Sequence, residues 1–194
     1  RPDGDAIASL SATASILKEN GFHALAILPD PAPDGYAQFL PENVISSADG
    51  MEASLFITVD CSSRKRLAAG NYPVEVCAEV INIDHHPDNE KFGSLAILDP
   101  AASSASQIVY TLFRDNGFHI SAVNATRLLL GVITDSGCFR FDNTTPEALR
   151  TAAELMALGA DHHRIIQASY CSKPENLVRL EAELVTHHLK TAFG

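Results

Sequence analysis

The sequence predicts an α/β domain on a mostly parallel sheet, and three observations predict it. Short β-branched or aliphatic runs at 24–28, 55–59, 80–83 and 95–98 alternate with longer amphipathic stretches at 7–19, 104–115, 122–133, 146–158 and 174–189. Each run stops close to a polar or turn residue, and two of them are followed at once by aspartate, Asp60 and Asp84. The 194 residues, 46% of them hydrophobic, suffice for one domain (1–194) with a substantial core. Strands that alternate with helix-length apolar periods mark βα units, here a Rossmann-like sheet with helices on both faces.

The first helix, 7–19, opens directly after the turn Asp3-Gly4-Asp5. In an α/β fold such a turn follows a strand, so a strand is expected upstream of Arg1. Helices end at Lys18-Glu19-Asn20-Gly21-Phe22-His23 and at Arg114-Asp115-Asn116-Gly117-Phe118-His119. In both, glycine takes the left-handed position and the next apolar residue packs back on the last turn. Nothing around the two segments recurs, so their likeness is not a repeat. Residues 29–35 hold three prolines and a glycine and form a loop. The apolar run 55–59 reads as a buried strand that delivers Asp60 at its carboxyl end, where ligands bind in open α/β sheets.

Composition excludes several classes of function. No apolar run approaches the roughly 20 residues that cross a bilayer, and no membrane association is expected. Arg1-Pro2-Asp3-Gly4-Asp5 has neither the basic start nor the apolar stretch of a secretory signal. Cys61, Cys77, Cys138 and Cys171 are scattered without a C-x-x-C pair, so reduced thiols and a cytoplasmic location are expected. A net charge of −10 argues against an extended nucleic-acid duplex as partner. A polyanionic substrate would need local cations, and bound divalent metals can invert the field of an acidic pocket.

Four separated clusters carry candidate chemistry. Asp3 and Asp5 flank Gly4 in a tight turn, so both carboxylates can face one point; acidic helix caps are the bland alternative. Asp60 ends one strand and Asp84-His85-His86 ends another, which brings carboxylates and imidazoles to the same edge. An imidazole ligand favours manganese over magnesium. Asp135 emerges where the helix 122–133 stops, a place the helix dipole disfavours for a carboxylate, so either a bound cation or Arg140 should compensate it. Two further histidine pairs are read as surface residues: Asp161-His162-His163 as a cap with a solvated helix start, and His187-His188 as part of an amphipathic helix. The run 103–106 can either cap a helix or donate hydrogen bonds to a phosphate. Together the four clusters supply about the number of ligands a two-metal hydrolytic site needs.

These motifs resemble the DHH phosphoesterase family over nearly the whole chain. The likeness rests on Pro2-Asp3-Gly4-Asp5-Ala6, Val59-Asp60, Asp84-His85-His86 and the stretch from Gly131 to Phe141 with Asp135. Asp99-Pro100-Ala101-Ala102-Ser103-Ser104 and Asn143-Thr144-Thr145-Pro146 are similar to the bacterial branch of oligoribonucleases that act as pAp phosphatases. The resemblance implies a hydrolase with two divalent ions, manganese before magnesium or cobalt. Asp3 and Asp60 would hold one ion and Asp5, Asp60, His85 and Asp135 the other, with Asp60 bridging. His86 would stand beside the reacting phosphate as a catalytic group, and Asp84 would orient His85. Ser103, Ser104 and Arg140 are the substrate-binding expectations.

The family also implies a histidine four residues before Asp3 and a separate C-terminal substrate-binding domain, both expected outside this chain. The sequence leaves the oligomeric state open, with a homodimer as one possible assembly. Short oligoribonucleotides and 3',5'-nucleoside bisphosphate (pAp) are the expected substrates. Cyclic or linear dinucleotides (c-di-AMP, pApA), inorganic pyrophosphate or polyphosphate, and a non-enzymatic metal-stabilised nucleotide sensor are the alternatives.

Overall fold

The computed structural model describes residues 2–48, 51–67, 79–173 and 175–187. In chain order these form α1 Gly4–Glu19, β1 Ala26–Ile27, β2 Val44–Ile45, β3 Leu55–Val59, β4 Glu79–Asp84, β5 Leu95–Leu98, α2 Ala105–Asp115, α3 Ala122–Asp135, α4 Pro146–Ala157, α5 His162–Ile166 and α6 Glu175–His187. All strand pairing among them is parallel. β3, β4 and β5 form one sheet in that order, and β1 and β2 form a second, two-stranded one. The α/β architecture of parallel strands flanked by helices is the predicted one.

Several boundaries differ for local physical reasons. Helix α1 starts at Gly4 instead of residue 7, because Asp3 is its cap: the Asp3 carboxylate accepts the Ala6 N–H at 3.0 Å. The run 24–28 contracts to the two residues of β1, and its partner β2 was not predicted. Helix α3 continues two residues past the expected end, and the Thr134 hydroxyl bonds the Leu130 carbonyl within that last turn. The ends of the helix expected at 174–189 lie outside the described residues.

The core forms around α1 and α3. Ile7 and Ile16 of α1 and Leu128, Leu129, Leu130 and Ile133 of α3 are fully buried, joined by Val109 of α2, Leu155 of α4 and Ile165 of α5. Three consecutive buried leucines mean that α3 is covered on all sides, so its end is held rigidly. Small residues let α1 approach it: a methyl group on Gly4 would come within 2.5 Å of Thr134 Oγ1. This closeness brings the start of α1, with Asp5, against the end of α3, with Asp135.

A cleft of about 210 Å³ lies between the two sheets, lined by Ile27 and Leu28 on one side and Phe56 and Val59 on the other, with Asp3 and Asp60 also on its wall. Helix α6 buries none of its described residues, and Leu177, Val178, Leu180, Leu184 and Val185 are exposed along it. No helix among the described residues is long and apolar enough to cross a membrane.

Candidate metal centre

Parallel pairing of β3 with β4 puts Val59 beside Ile83, so the residues that follow, Asp60 and Asp84, leave the sheet at the same edge. Asp60 continues the ladder by donating its N–H to the Ile83 carbonyl at 3.0 Å, yet its φ is +52°. A non-glycine residue in the left-handed region costs on the order of 1–3 kcal/mol and persists only where the surroundings enforce it. The turn aims the carboxylate at the histidines of the next strand end: Asp60 Oδ1 lies 3.6 Å from His85 Nε2 and 3.7 Å from His86 Nδ1.

His85 stands at the centre of the group. Its Nε2 faces Asp135 Oδ2 at 3.4 Å as well as Asp60, while Nδ1 lies 3.3 Å from the Ala102 carbonyl. A ring that gives one nitrogen to a backbone carbonyl presents the other as a lone pair, the usual state of a metal-binding imidazole. Asp84 does not orient His85, as was expected. It is fully buried, and its Oδ1 lies 2.7 Å from His86 Nδ1 instead.

Asp5 reaches the cluster from α1. Its carboxylate, 1% exposed, accepts the N–H groups of Ala105 at 2.6 Å and Ser106 at 3.0 Å, at the positive end of the α2 dipole. Glycine at 131 leaves room for it, because a methyl group there would fall on Asp5 Oδ1 and Ser106 Oγ. Burial pushes the Asp5 carboxyl up to about 6; the Ser106 side chain opposes the rise, the Asp135 charge adds to it, and His85 and the Ser106 N–H oppose it to a smaller extent. Asp60 is pushed up to about 9, first by burial and then by the charges of Asp5, Asp3, Asp135 and Asp84, which all act in one direction. Asp135 is also raised, mainly by burial, against the pull of His85.

This convergence of acids fits divalent cations. Potential ligand atoms of Asp5, His85 and Asp135 lie within 4.8 Å of one another, as do those of Asp60, Asp84, His85 and His86. Two ligands on one ion at about 2.1 Å and near right angles are roughly 3 Å apart. The 3.4 and 3.6 Å separations around His85 Nε2 therefore need little adjustment. In the second group Asp84 and His86 satisfy each other, so Asp60 and His85 are its open donors. Asp3 lies to the side. It is exposed and caps α1, and it acts on Asp60 and Asp135 through its charge.

A family model described as DHH family, N-terminal domain, matches residues 1–132. The chain belongs to the DHH family. Among its relatives is a bifunctional oligoribonuclease and PAP phosphatase NrnA of Thermus thermophilus, 39% identical over 81% of this chain and 48% of the relative. The protein of the same name from Bacillus subtilis is 30% identical over 93% of this chain and 57% of the relative. The chain thus spans about half the length of the curated relatives it matches. A crystal structure of an exopolyphosphatase-related protein from Bacteroides fragilis superposes with a TM-score of 0.84 at 26% identity, covering 96% of this chain and 58% of that one.

Within this DHH domain, the three residues expected to bind substrate each have partners inside the chain. Ser103 and Ser104 are fully buried. The Ser103 hydroxyl donates to Gln107 Oε1 at 2.9 Å, and the Ser104 hydroxyl caps α2 by accepting the Gln107 N–H at 3.1 Å. They shape the turn that offers the Ala105 and Ser106 amides to Asp5. Arg140 donates Nε to the Gly137 carbonyl at 2.6 Å and lies over the Tyr170 ring, so it does not compensate Asp135. Its direction is set by three successive left-handed residues, Gly137, Cys138 and Phe139. The second Asp-His-His copy behaves as a cap: Asp161 accepts the Arg164 N–H at 3.0 Å, and His162 and His163 are exposed. His187 lies exposed on α6, and His188 falls outside the described residues.

Two residues missed by sequence reasoning support the centre. Asn143 Nδ2 donates to the carbonyls of Asp135 and Ser103, each at 3.1 Å, tying the end of α3 to the turn before α2. Asn89 bonds the buried oxygen of Asp84. The Asn143-Thr144-Thr145-Pro146 stretch marked the first of them, though only as part of a resemblance. For Asn89 the sole signal was a polar residue five positions after Asp84.

Proposed function

We propose that this domain is the metal-binding half of a dinuclear, manganese-dependent phosphoesterase that hydrolyses short oligoribonucleotides and 3',5'-nucleoside bisphosphate in the cytoplasm. The observation that carries the reading is the convergence of Asp5, Asp60, His85 and Asp135 at the end of the sheet, with Asp60 pushed up to about 9 by burial first and then by its acidic neighbours. Such a cluster is costly unless cations occupy it, and natural chains keep that cost mainly at functional sites. Asp5, His85 and Asp135 would hold one ion, and Asp60 with Asp3 the other, with Asp60 reaching both. The bound cations would supply a water acidified towards neutrality and charge stabilisation at the phosphoryl oxygens.

The chain's own residues divide the remaining work. The backbone amides of Ala105 and Ser106 keep Asp5 in place, and the Ala102 carbonyl fixes the His85 ring. His86 has Nδ1 engaged by Asp84, and its side chain is 32% exposed, so Nε2 is the nitrogen left to meet a phosphate or a leaving oxygen. A non-catalytic sensor would tolerate loss of a ligand, whereas every expected metal ligand in this sequence is an aspartate or a histidine. The substrate class rests on the relatives named as oligoribonuclease and PAP phosphatase.

The test is release of phosphate or mononucleotide by the full-length protein from pAp, pApA and pyrophosphate, with and without Mn2+. Metal-dependent turnover of pAp and pApA is expected. Turnover of pyrophosphate alone would overturn the substrate assignment.

A further inference from the structure

The buried acid Asp84 has one oxygen on His86, and its other oxygen is held by Asn89, whose Nδ2 donates at 2.6 Å. Asn89 lies in the turn after β4 and belongs to neither group of candidate ligands. Its amide has two distinct halves. Oδ1 accepts the Lys91 N–H at 2.6 Å and closes the local turn. Nδ2 faces inward to Asp84 Oδ2, to Asn82 Oδ1 at 2.9 Å and to the Cys61 carbonyl at 3.2 Å.

Asn82, fully buried on β4, donates in turn to Thr58 Oγ1 at 2.9 Å and to the Cys61 carbonyl at 3.0 Å. The network therefore links the end of β3, the end of β4 and the loop beyond it. A turn alone needs only Oδ1. The inward half of Asn89 has its shortest bond to Asp84, the carboxylate within hydrogen-bond distance of His86 Nδ1, at 2.7 Å against 3.7 Å for Asp60.

We propose that Asn89 is a positioning residue for His86, acting through Asp84. By occupying Oδ2, Asn89 fixes the plane of the carboxylate and leaves Oδ1 directed at His86 Nδ1. His86 is then held in the Nδ1–H tautomer with Nε2 facing outward as a proton acceptor, where it would take a proton from the attacking water and pass it to the leaving oxygen. Buried polar chains of this kind specify one orientation when every member is satisfied. The inference deepens the phosphoesterase reading and rests on it for the role of His86, whereas the tautomer itself can be measured without any turnover.

Two variants separate positioning from folding. Asn89→Asp keeps an acceptor for the Lys91 N–H and removes the donor to Asp84; Asn89→Ala removes both without adding charge. The full-length protein, in Mg2+ so that the spectra are diamagnetic, is examined by long-range 1H–15N correlation of its histidine rings. In the wild type His86 is expected as the Nδ1–H tautomer. In both variants His86 should move to a mixture or to Nε2–H, while His85, held by the Ala102 carbonyl, stays unchanged. A wild-type His86 that is not Nδ1–H, an unchanged His86 in either variant, or equal movement of both rings would overturn the proposal.

Turnover gives a second readout. Loss of an outer partner of this kind costs about 10–100-fold, here in kcat on pApA, with KM within about threefold. A 4-nitrophenyl phosphodiester, whose leaving oxygen needs no proton, should lose less than about threefold. Equal losses on both substrates would point to general damage and refute the positioning role. A wild type inactive on both would overturn the phosphoesterase reading and leave the tautomer result to decide the role of Asn89.

Discussion

Adding metal to the metal-free protein should expel a proton from Asp60. With its carboxyl pushed up to about 9, Asp60 is almost fully protonated at pH 7, and a metal ligand must give that proton up. Asp5, pushed up to about 6, contributes about a tenth of a proton at the same pH. The expected release is therefore about one proton per chain at pH 7. The same linkage makes the apparent Mn2+ affinity rise about tenfold per pH unit from 7 towards 9. Titration calorimetry in three buffers of different ionisation enthalpy measures the number directly, as the slope of observed heat against buffer heat. A release below about half a proton at pH 7, or an affinity independent of pH across that range, would refute the electrostatic picture of the centre.

Stability without metal should show the opposite face of the same shift. A carboxyl raised in the folded state carries no penalty below its unfolded value, and the penalty grows until pH passes the folded value. Asp60 alone should therefore cost the metal-free protein up to about 1.4 kcal/mol per pH unit between roughly pH 4 and 9, and Asp60→Asn should flatten that part of the dependence in urea melts taken at several pH values. Gly131→Ala forces a methyl group onto Asp5 Oδ1 and Ser106 Oγ; it should cost about 1–3 kcal/mol from overpacking and weaken Mn2+ binding about 10–100-fold, and wild-type affinity in this variant would contradict the placement of Asp5. Leu129→Ala, in the covered helix behind the site, should cost about 2–5 kcal/mol in the same melts, and a loss below 1 kcal/mol would show that α3 is not the core element described.

The parts of the fold that were legible in the sequence are those with a sustained period. The strands at 55–59 and 95–98 match their predicted limits, and β4 extends its run by one residue at each end. By contrast, β1 and β2 have two residues each, too few to show alternation, and their pairing depends on contacts distant in sequence.

At the site, the residue types that could bind metal were visible because Asp and His recur at element ends. The pairing among them was not. Asp84 is adjacent to His85 in the chain, yet it bonds His86, because the turn after β4 brings Asn89 onto its far oxygen. Arg140 was plausible as a partner of Asp135 by proximity in sequence, but the left-handed turn at 137–139 carries it to Tyr170. Ser103 and Ser104 were read correctly as the start of a helix, but their burial, which only packing decides, gives their hydroxyls to Gln107.

The central claim is that Asp5, Asp60, His85 and Asp135 share bound cations, and anomalous diffraction from crystals of the Mn2+-loaded full-length protein tests it most directly. Two peaks about 3.5–4 Å apart are expected, one within bonding distance of Asp5, His85 Nε2 and Asp135, and both within reach of Asp60. A single peak remote from Asp60, or none near His85 at saturating Mn2+, would contradict the account.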